Sequence, residues 1–393
     1  MDNDKNKDIT KVQIAVLAIA VGICIANIYY SLPILSVIAK DLGLRESQVG
    51  NLPVLSQLGY GLGLLLLTPL GDKIERKKLV IVLQILLIAV LVTITFTHSL
   101  QGLYVMGFLI GLFAVATQVL VPMAAVMAGE KKGNVVGIVY TGLLVGILGA
   151  RVFSGYIAEW FSWRYMYGIS ACMMTVTTGL IALLLPKVKP MYHGNYMSLL
   201  ASTFLQFKRF ASLRRLSFLA AFSFGAFCSF WTTLTFHLSL PPFNYHSDSI
   251  GLFGFLGMAG VLVSPVFGRL ADKYNPARNQ LFTASFFIVS ILLIQFFPYS
   301  LAAFIITTIL LDIGQQSTQI TSLAQIYTLD ETAHSRINTM FMTITFIGGA
   351  FGTWAGVKSW TLGGWNMVGW QMLLWACIVM AIAVWGYIAS IKK

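Results

Sequence analysis

The chain has 393 residues, of which 57% are hydrophobic and 10% are charged, and its formal net charge is +12. This composition excludes an ordinary soluble protein and predicts a chain that crosses a membrane many times. The basic residues lie mostly in short loops between apolar segments, so membrane topology rather than nucleic-acid binding explains the positive charge. Residues 1–11 are polar and the next apolar segment is long enough to span, so we predict no secretory signal peptide.

Twelve apolar segments have the length of a membrane-spanning helix, about 20 residues. An even number of spans places both termini on one side, and Lys and Arg are several times more frequent in the loops of that side. Both termini are therefore expected in the cytoplasm. The predicted fold is an all-α membrane protein with helices near residues 12–38, 48–70, 79–97, 102–128, 134–158, 163–185, 214–239, 248–270, 280–297, 299–328, 336–358 and 367–390.

A central loop at 186–213 divides this arrangement into an N-terminal six-helix half, residues 1–185, and a C-terminal half, residues 214–393. The middle of the loop is amphipathic and basic, which predicts either a helix on the cytoplasmic membrane surface or a plain tether. The halves repeat each other, because Asp72 and Asp272 follow similar sequences at the ends of the second and eighth spans. Parallel repeats of this kind place a substrate site at their interface, near the bilayer midplane.

Polar side chains form one stripe on the otherwise apolar tenth predicted helix. The stripe consists of Asp312, Gln315, Gln316 and Gln319, whose spacing places them on a single helix face. A carboxylate at this depth costs several kcal/mol unless it faces protein or water, so Asp312 is the leading functional candidate. The glutamines could bind substrate, or they could hydrogen-bond one another across helices.

Arg151, in the fifth predicted helix, is a second unusual charge inside the membrane. It could act as a gate or as an interhelix partner of Asp312, or it could extend toward the outer surface near Glu159. From the helical rise we expect Arg151 and Asp312 to differ in depth by about 10–15 Å, so that a direct bridge needs the arginine to reach inward. Asp312 could therefore be a free coupling group, part of a pair that forms and breaks during transport, or part of a static pair.

Several motifs resemble the major facilitator superfamily, and the resemblance covers essentially the whole chain. The loop at 71–78 resembles the family's signature loop of glycine, aspartate and basic residues, and residues 268–278 repeat part of it. In the family these loops hold the two halves together on the cytoplasmic side, where Asp72 could accept hydrogen bonds from a neighbouring helix end. The resemblance implies these latch residues: Asp72, Arg76, Lys77, Asp272 and Arg278.

The fifth predicted helix resembles the glycine-rich motif of the superfamily's antiporters, although Arg151 stands where that motif has proline. Gly137 and Gly146 keep the spacing of the motif. Residues 27–33 and 230–233 resemble the twelve-helix bacterial drug-efflux-like branch, the drug:proton antiporters. In this family the first, fourth, seventh and tenth spans line the central cavity. The resemblance implies these cavity residues: Asn27, Tyr30, Gln118, Trp231, Gln315, Gln316 and Gln319.

No sequence pattern indicates an enzyme, a cofactor or a metal site. A P-loop signature is missing, and the four cysteines lie in apolar segments, where they are expected to pack as small apolar side chains. The sequence therefore predicts a secondary transporter, which is driven by a solute or ion gradient and works by alternating access. The favoured activity is proton-coupled efflux of a small amphipathic or cationic compound, with Asp312 binding either a proton or the substrate.

Other activities fit the same sequence. Uptake or facilitated transport of a specific polar metabolite is one alternative, and lipid flipping is another. A sensor or scaffold would need a larger cytoplasmic surface than this chain offers. The expected partners are a small-molecule substrate, protons and the lipid bilayer, with no nucleic acid. We expect a monomer in the bacterial inner, or cytoplasmic, membrane.

Overall fold

Helices make up nearly all of the computed structural model, which describes residues 9–188, 194–260, 262–263, 266, 275–330 and 333–391. No strand occurs within these ranges. A 3-10 turn at Leu32–Ile34 joins the first two helices, and another at Gly129–Lys131 precedes the ninth. In chain order the helices are α1 (Lys11–Ala26), α2 (Leu35–Leu42), α3 (Glu46–Val49), α4 (Asn51–Leu66), α5 (Leu70–Lys73), α6 (Arg76–Thr95), α7 (Leu100–Ala114), α8 (Ala116–Ala128), α9 (Lys132–Trp160), α10 (Trp163–Leu184), α11 (Tyr196–Arg209), α12 (Ala211–Leu238), α13 (Ser247–Leu256), α14 (Pro276–Phe296), α15 (Leu301–Ile326) and α16 (His334–Ile391).

Nine of the described helical segments are long and apolar enough to cross a membrane. The last of them, α16, is interrupted by non-helical backbone at Gly363 and Gly364, so it combines two helical segments. Helix α1 is apolar but shorter, and α13 continues into a stretch that is only partly described. The structure therefore confirms an all-helical protein with many membrane-length spans. The number twelve and the cytoplasmic position of the termini stay predictions.

Polar caps fix where several of these helices begin. At α1, Thr10 forms a capping box with Gln13: the Thr10 hydroxyl accepts from the Gln13 N–H (3.2 Å), and the Gln13 side chain accepts from the Thr10 N–H (3.0 Å). Such caps satisfy N–H groups that a helix start leaves unpaired, and so they fix the depth of the residues that follow. At α7, α10, α11, α14 and α15 a single side chain accepts from a backbone N–H of the first turn, without the reciprocal bond: Ser99, Ser162, Asn195, Asn275 and Ser300.

We refer to the helices before α11, α1–α10, as the first group and to those after it, α12–α16, as the second. Within the first group α9 packs closely on α1, because a Cβ at Gly146 would lie only 2.2 Å from the Gly22 carbonyl oxygen. Gly137 of the same helix has no atom within 4 Å of its Cβ position in the described part of the chain. Only part of the glycine-rich motif therefore forms a helix-packing face.

Helix α11 links the two groups at the end of the molecule where the loop 71–78 lies, which we call the basic end. Its Tyr196 hydroxyl donates to the carbonyl oxygen of Leu66, at the end of α4. Its Arg209 forms a 2.7 Å ion pair with Asp330, which follows α15. The middle of the central loop is therefore helical and touches both groups, while its position on the membrane surface stays a prediction.

Candidate functional site

A cavity of about 690 Å³ lies between the two helix groups. It extends from the basic end, where Asp72, Arg76 and His334 line it, toward Arg151 and Asp312 deep in the molecule. Its volume suits a small organic ligand, since such pockets measure about 300–1,000 Å³. Between the charged ends the wall is mainly aliphatic and aromatic. The Tyr and Phe rings that line it belong to Tyr29, Tyr60, Tyr140, Phe224, Phe227, Tyr327 and Phe346.

Contacts between the two groups close the cavity at the opposite end, which we call the closed end. The Ser247 hydroxyl lies 3.0 Å from both the Gly155 carbonyl oxygen and Glu159 Oε2, and His246 Nδ1 lies 2.9 Å from Glu159 Oε1. A Cβ at Gly155 would lie 2.3 Å from the Ser247 carbonyl oxygen, so α9 and α13 meet at backbone distance. Further hydrogen bonds that cross here join Thr235 to the Leu32 carbonyl (2.8 Å), Ser239 to Ser36 (3.1 Å) and Trp360 to Glu46 (3.0 Å).

Arg151 lies in the cavity wall, with only 2% of its surface exposed. Its guanidinium carbon is 3.7 Å from the centre of the Trp231 ring, with the rings of Tyr29 and Phe227 at 5.6 Å and 5.9 Å. Stacking on an aromatic face stabilises a cation but takes up none of its N–H groups. Arg151 Nε and Nη1 are buried and have no hydrogen-bond partner among the described residues.

Asp312 lines the same cavity and is 4% exposed. Its Oδ2 atom is buried and has no hydrogen-bond partner in the described part of the chain. The Trp231 indole lies within interaction range of this carboxylate, although its N–H forms no hydrogen bond of ordinary geometry. Asp312 and Arg151 are close enough for their charges to interact, but no ion pair joins these two side chains.

Arg151 and Asp312 lie at nearly the same depth, and the expected offset of about 10–15 Å is wrong. Helix α9 continues to Trp160 and α15 begins at Leu301, which places the two charges about 14 Å and about 17 Å from the closed-end termini of their helices. Both pack against one short segment that begins in α13. A Cβ at Gly254 would lie 3.1 Å from Arg151 Cβ, and a Cβ at Gly257 would lie 3.0 Å from Asp312 Oδ1.

The polar stripe predicted on α15 lines the cavity along its length. Gln315, Gln316 and Gln319 are all in the wall, and the side-chain oxygens of Gln315 and Gln319 are buried without hydrogen-bond partners among the described residues. From the other group, Gln118 also lines the cavity and donates to the Tyr60 hydroxyl (2.9 Å). The wall therefore offers hydrogen-bonding groups from both helix groups.

Three of the predicted cavity residues are not in the wall. Asn27 accepts a hydrogen bond from the Ser170 hydroxyl (2.7 Å) and donates to its own helix, so it joins α1 to α10. Tyr30 is buried away from the cavity, and Trp231 lies behind Arg151. Tyr29 and Tyr60 line the cavity, although the prediction did not include them. Tyr29 belongs to the segment 27–33 that carries the family resemblance, which is the signal that could have found it.

The hydrogen bonds of the loop 71–78 lie within the loop or join it to the first helix group. Arg76 donates to Asp72 Oδ1 (3.0 Å) and to the Gly71 carbonyl oxygen (3.1 Å), and Lys77 donates to the Leu185 carbonyl oxygen (2.7 Å). Asp72 therefore pairs with Arg76 rather than with the end of a neighbouring helix. Of the second copy, Asp272 lies outside the described residues. Arg278 is on α14, away from the cavity, beside Tyr387. The latch itself stays a prediction.

A cavity between two groups of membrane-length helices, closed at one end and lined by buried charges, is typical of a membrane transporter. Residues 17–353 match the Major Facilitator Superfamily. The chain belongs to this superfamily, whose members handle small-molecule substrates, and it is a multi-pass membrane protein.

Individual relatives agree with this assignment. The chain is 36% identical to the putative uncharacterized transporter YgaY of Escherichia coli strain K12, over 91% of each chain. It is 23% identical to the bicyclomycin resistance protein homolog of Haemophilus influenzae, over 59% of this chain and 58% of that protein. The solved structure of the nucleoside transporter NupG superposes with a TM-score of 0.76 at 13% identity, covering 96% of this chain and 99% of that one. At that identity the structural match shows the fold alone.

Proposed function

We propose that this protein is a proton-coupled secondary transporter that moves a small organic compound by alternating access, with Asp312 as its proton-binding group. The observation that carries the proposal is the position of the Asp312 carboxylate, which is buried in the cavity wall and leaves one oxygen without a hydrogen bond. A carboxylate inside a membrane protein is a functional candidate by default, because its charge is costly there.

The protonation of Asp312 can change when the cavity opens to the other side of the membrane. A buried carboxylate without hydrogen bonds costs several kcal/mol as an anion, and binding a proton removes the charge. In the conformation described here the cavity extends to the basic end, so Asp312 can exchange protons with that side. When the closed end opens, Asp312 would face the other side, and this alternation is what couples a proton gradient to transport.

The cavity wall favours an organic compound with a flat apolar body and polar groups. Aromatic rings such as Tyr29, Tyr60 and Phe227 offer faces for stacking, and Gln316 and Gln319 offer hydrogen bonds. We place the protein in the bacterial cytoplasmic membrane, with both termini in the cytoplasm. We further propose twelve helices in two six-helix halves, a monomeric state and basic-end loops that act as a latch.

Two transport directions use the same carboxylate. In export by exchange, the substrate and the proton compete for Asp312, and the name of the Haemophilus relative supports a resistance function of that kind for that protein. In proton-coupled uptake, both bind together. The position of Arg151 favours uptake as a second candidate, because a fixed cation beside Asp312 repels a cationic substrate. Counterflow measured in vesicles of known orientation distinguishes the two directions.

A ligand screen on two variants tests the role of Asp312. Metabolites and drugs are tested for thermal stabilisation of the purified protein at about pH 6 and about pH 8, with wild type, Asp312→Asn and Asp41→Asn as a control acid outside the cavity. We expect ligands whose stabilisation depends on pH in the wild type and in the control but not in Asp312→Asn. The proposal fails if Asp312→Asn is folded and keeps the pH dependence of the wild type.

A further inference from the structure

Arg151 is a buried cation whose charge is not neutralised by a contact. It is almost fully buried, lines the cavity, and has two nitrogens without a hydrogen-bond partner among the described residues. An unpaired charge in such a place is strongly unfavourable, and a packed protein normally provides a counter-charge or hydrogen bonds. The part of the chain that the structure describes provides neither within bonding distance. The anion that completes this site is therefore one that enters the cavity, or Asp312 in another conformation.

The stacking on Trp231 orients Arg151 so that its N–H groups stay available to a planar anion. The indole covers one face of the guanidinium at 3.7 Å, and the N–H groups of a guanidinium point outward in its plane. A carboxylate that reaches an edge of the guanidinium from the cavity can therefore bind it with two parallel hydrogen bonds without displacing the ring. The aromatic contact also holds the side chain in one place, so little conformational freedom is lost when a ligand binds.

Few groups near Arg151 can supply negative charge. Asp312, Tyr29 and Cys228 interact with it electrostatically, and of these three side-chain types the carboxyl group is the strongest acid in water. Asp312 and an anionic ligand thus compete for one cation. Other charged or titratable side chains stand further along the cavity, toward the basic end: Tyr60, Tyr140, Asp72, Arg76, Tyr327 and His334.

We propose that Arg151 binds an anionic group of the transported compound, a carboxylate or a similar planar oxyanion, and that the substrate is an organic anion with an aromatic or apolar body. The aromatic rings beside Arg151 receive the body, and the cavity of about 690 Å³ has room for it. The role of Asp312 in this site rests on the proposed function above. When Asp312 holds a proton it no longer competes for Arg151, so a proton and the anion bind together.

This arrangement explains why the two charges lie within interaction range of each other without forming an ion pair. With Asp312 ionised and no substrate bound, each charge compensates the other, and binding an anion would leave a net negative charge in a low-dielectric site. With Asp312 protonated, the positive charge of Arg151 balances the bound monoanion, and the proton and the anion are carried across the membrane together without net charge. The site therefore predicts cotransport of the proton and the anion, unlike the proton-coupled efflux of an amphipathic or cationic compound expected from the sequence.

Matched probes that differ only in charge test the substrate class. The probes are phenylacetate, indoleacetate and naphthylacetate, each with the corresponding amide and the corresponding amine. Binding to the purified full-length protein is measured as thermal stabilisation and by calorimetry at about pH 6 and about pH 8. The variants are Arg151→Gln, Arg151→Lys, Asp312→Asn and, as a control, Arg215→Gln. Arg215 hydrogen-bonds to two glutamines and is not part of the cavity wall.

In the wild type we expect at least one acid to bind roughly tenfold to a hundredfold more tightly than its amide, with the amine weakest. This preference disappears in Arg151→Gln, is reduced in Arg151→Lys and is unchanged in Arg215→Gln. If Arg151→Gln does not fold, the comparison of Arg151→Lys with the wild type tests the proposal, because Arg151→Lys should prefer the acid less strongly. Acid binding is tighter at the lower pH in the wild type, and Asp312→Asn binds the acid with little dependence on pH.

The outcomes separate this proposal from the proposed function. If the acid preference depends on Arg151 but Asp312→Asn keeps the pH dependence, the anion site stands and the role of Asp312 fails. If the amines bind best, or if the acid preference survives in Arg151→Gln, the anion site is overturned whatever the pH dependence. If none of the acids binds the wild type, the substrate class is also overturned.

Discussion

The contact between Gly155 and α13 offers a direct way to change the balance between closed and open conformations. In Gly155→Ala the new Cβ would lie 2.3 Å from the Ser247 carbonyl oxygen, whereas real Cβ contacts do not fall below 3.0 Å. Because the atom in the way belongs to the backbone, no side chain can rotate to make room. The two helices have to separate by about 0.7 Å or more at this point.

The energetic cost of this separation follows from the geometry. Overpacking of this kind costs about 1–3 kcal/mol. The hydrogen bonds of Ser247 with Gly155 and Glu159, both at 3.0 Å, are stretched in the same movement. Both costs fall on the closed conformation alone, because the contact is absent once the helices part. The ratio of closed to open molecules should therefore fall by a factor of about 5 to 150.

Accessibility at the closed end measures this ratio. Ser239 hydrogen-bonds to Ser36 across the closed end, so Ser239→Cys reports opening when it reacts with a membrane-impermeant maleimide. The measurement uses a background in which the four native cysteines are replaced by alanine. Gly137→Ala is the matched control, because it lies in the same helix and its Cβ position has no neighbour within 4 Å among the described residues. We expect faster labelling in Gly155→Ala and no change in Gly137→Ala.

The control also removes an ambiguity. Replacing glycine by alanine inside a helix stabilises that helix by about 1 kcal/mol, and both variants share this gain. The difference between them therefore reports the contact with Ser247. Equal labelling rates in two folded variants would refute the argument, because they would mean that the closed end tolerates the extra methyl group without opening.

Two further predictions concern side chains outside this contact. Hydrogen bonds from Arg164 and from Trp163 Nε1 (3.0 Å) hold the pKa of Asp41 below its ordinary value, so they stabilise the fold above that ordinary pKa, and the gain is lost as pH falls through the lowered one. Asp41→Asn should therefore lower Tm at neutral pH and approach the wild type in acid; a constant difference across the titration would contradict this. Trp231→Leu should destabilise the protein by about 1–2 kcal/mol through the lost stacking on Arg151, and Trp231→Phe by less, as measured by thermal unfolding. Equal losses in both variants would show that packing, and not the cation–π contact, is responsible.

The sequence predicts a large part of the site because the inward-facing side of a spanning helix can be inferred from the residues of that helix alone. A polar side chain in an apolar spanning helix has to face protein or water, so the stripe from Asp312 to Gln319 could be assigned to an interior surface without knowledge of its neighbours. Arg151 is identified from the sequence for the same reason. The structure places the stripe and Arg151 in one cavity wall.

Asn27 and Tyr30 could not be placed in this way. The chain leaves regular helix after Ala26, passes through turns and enters the 3-10 turn at Leu32–Ile34. In such a stretch the helical period does not predict where a side chain points, so the resemblance selected Tyr30 where the cavity wall contains Tyr29. The relative depth of two charges is equally inaccessible, since it depends on where separate helices begin and end.

The closed end and the charged site share one structural connection. Arg151 and Gly155 lie one turn apart on the same face of α9. Against this face packs α13, where a Cβ at Gly251 would lie 2.7 Å from the Arg151 carbonyl oxygen. The same segment reaches Asp312 through Gly257. In the proposed transport cycle α13 leaves α9 to open the closed end, and the surroundings of both charges then have to change in the same movement. A proton or an anion that alters the charge of this site would therefore act on the contact that keeps the cavity closed, which is the physical requirement for the proposed coupling.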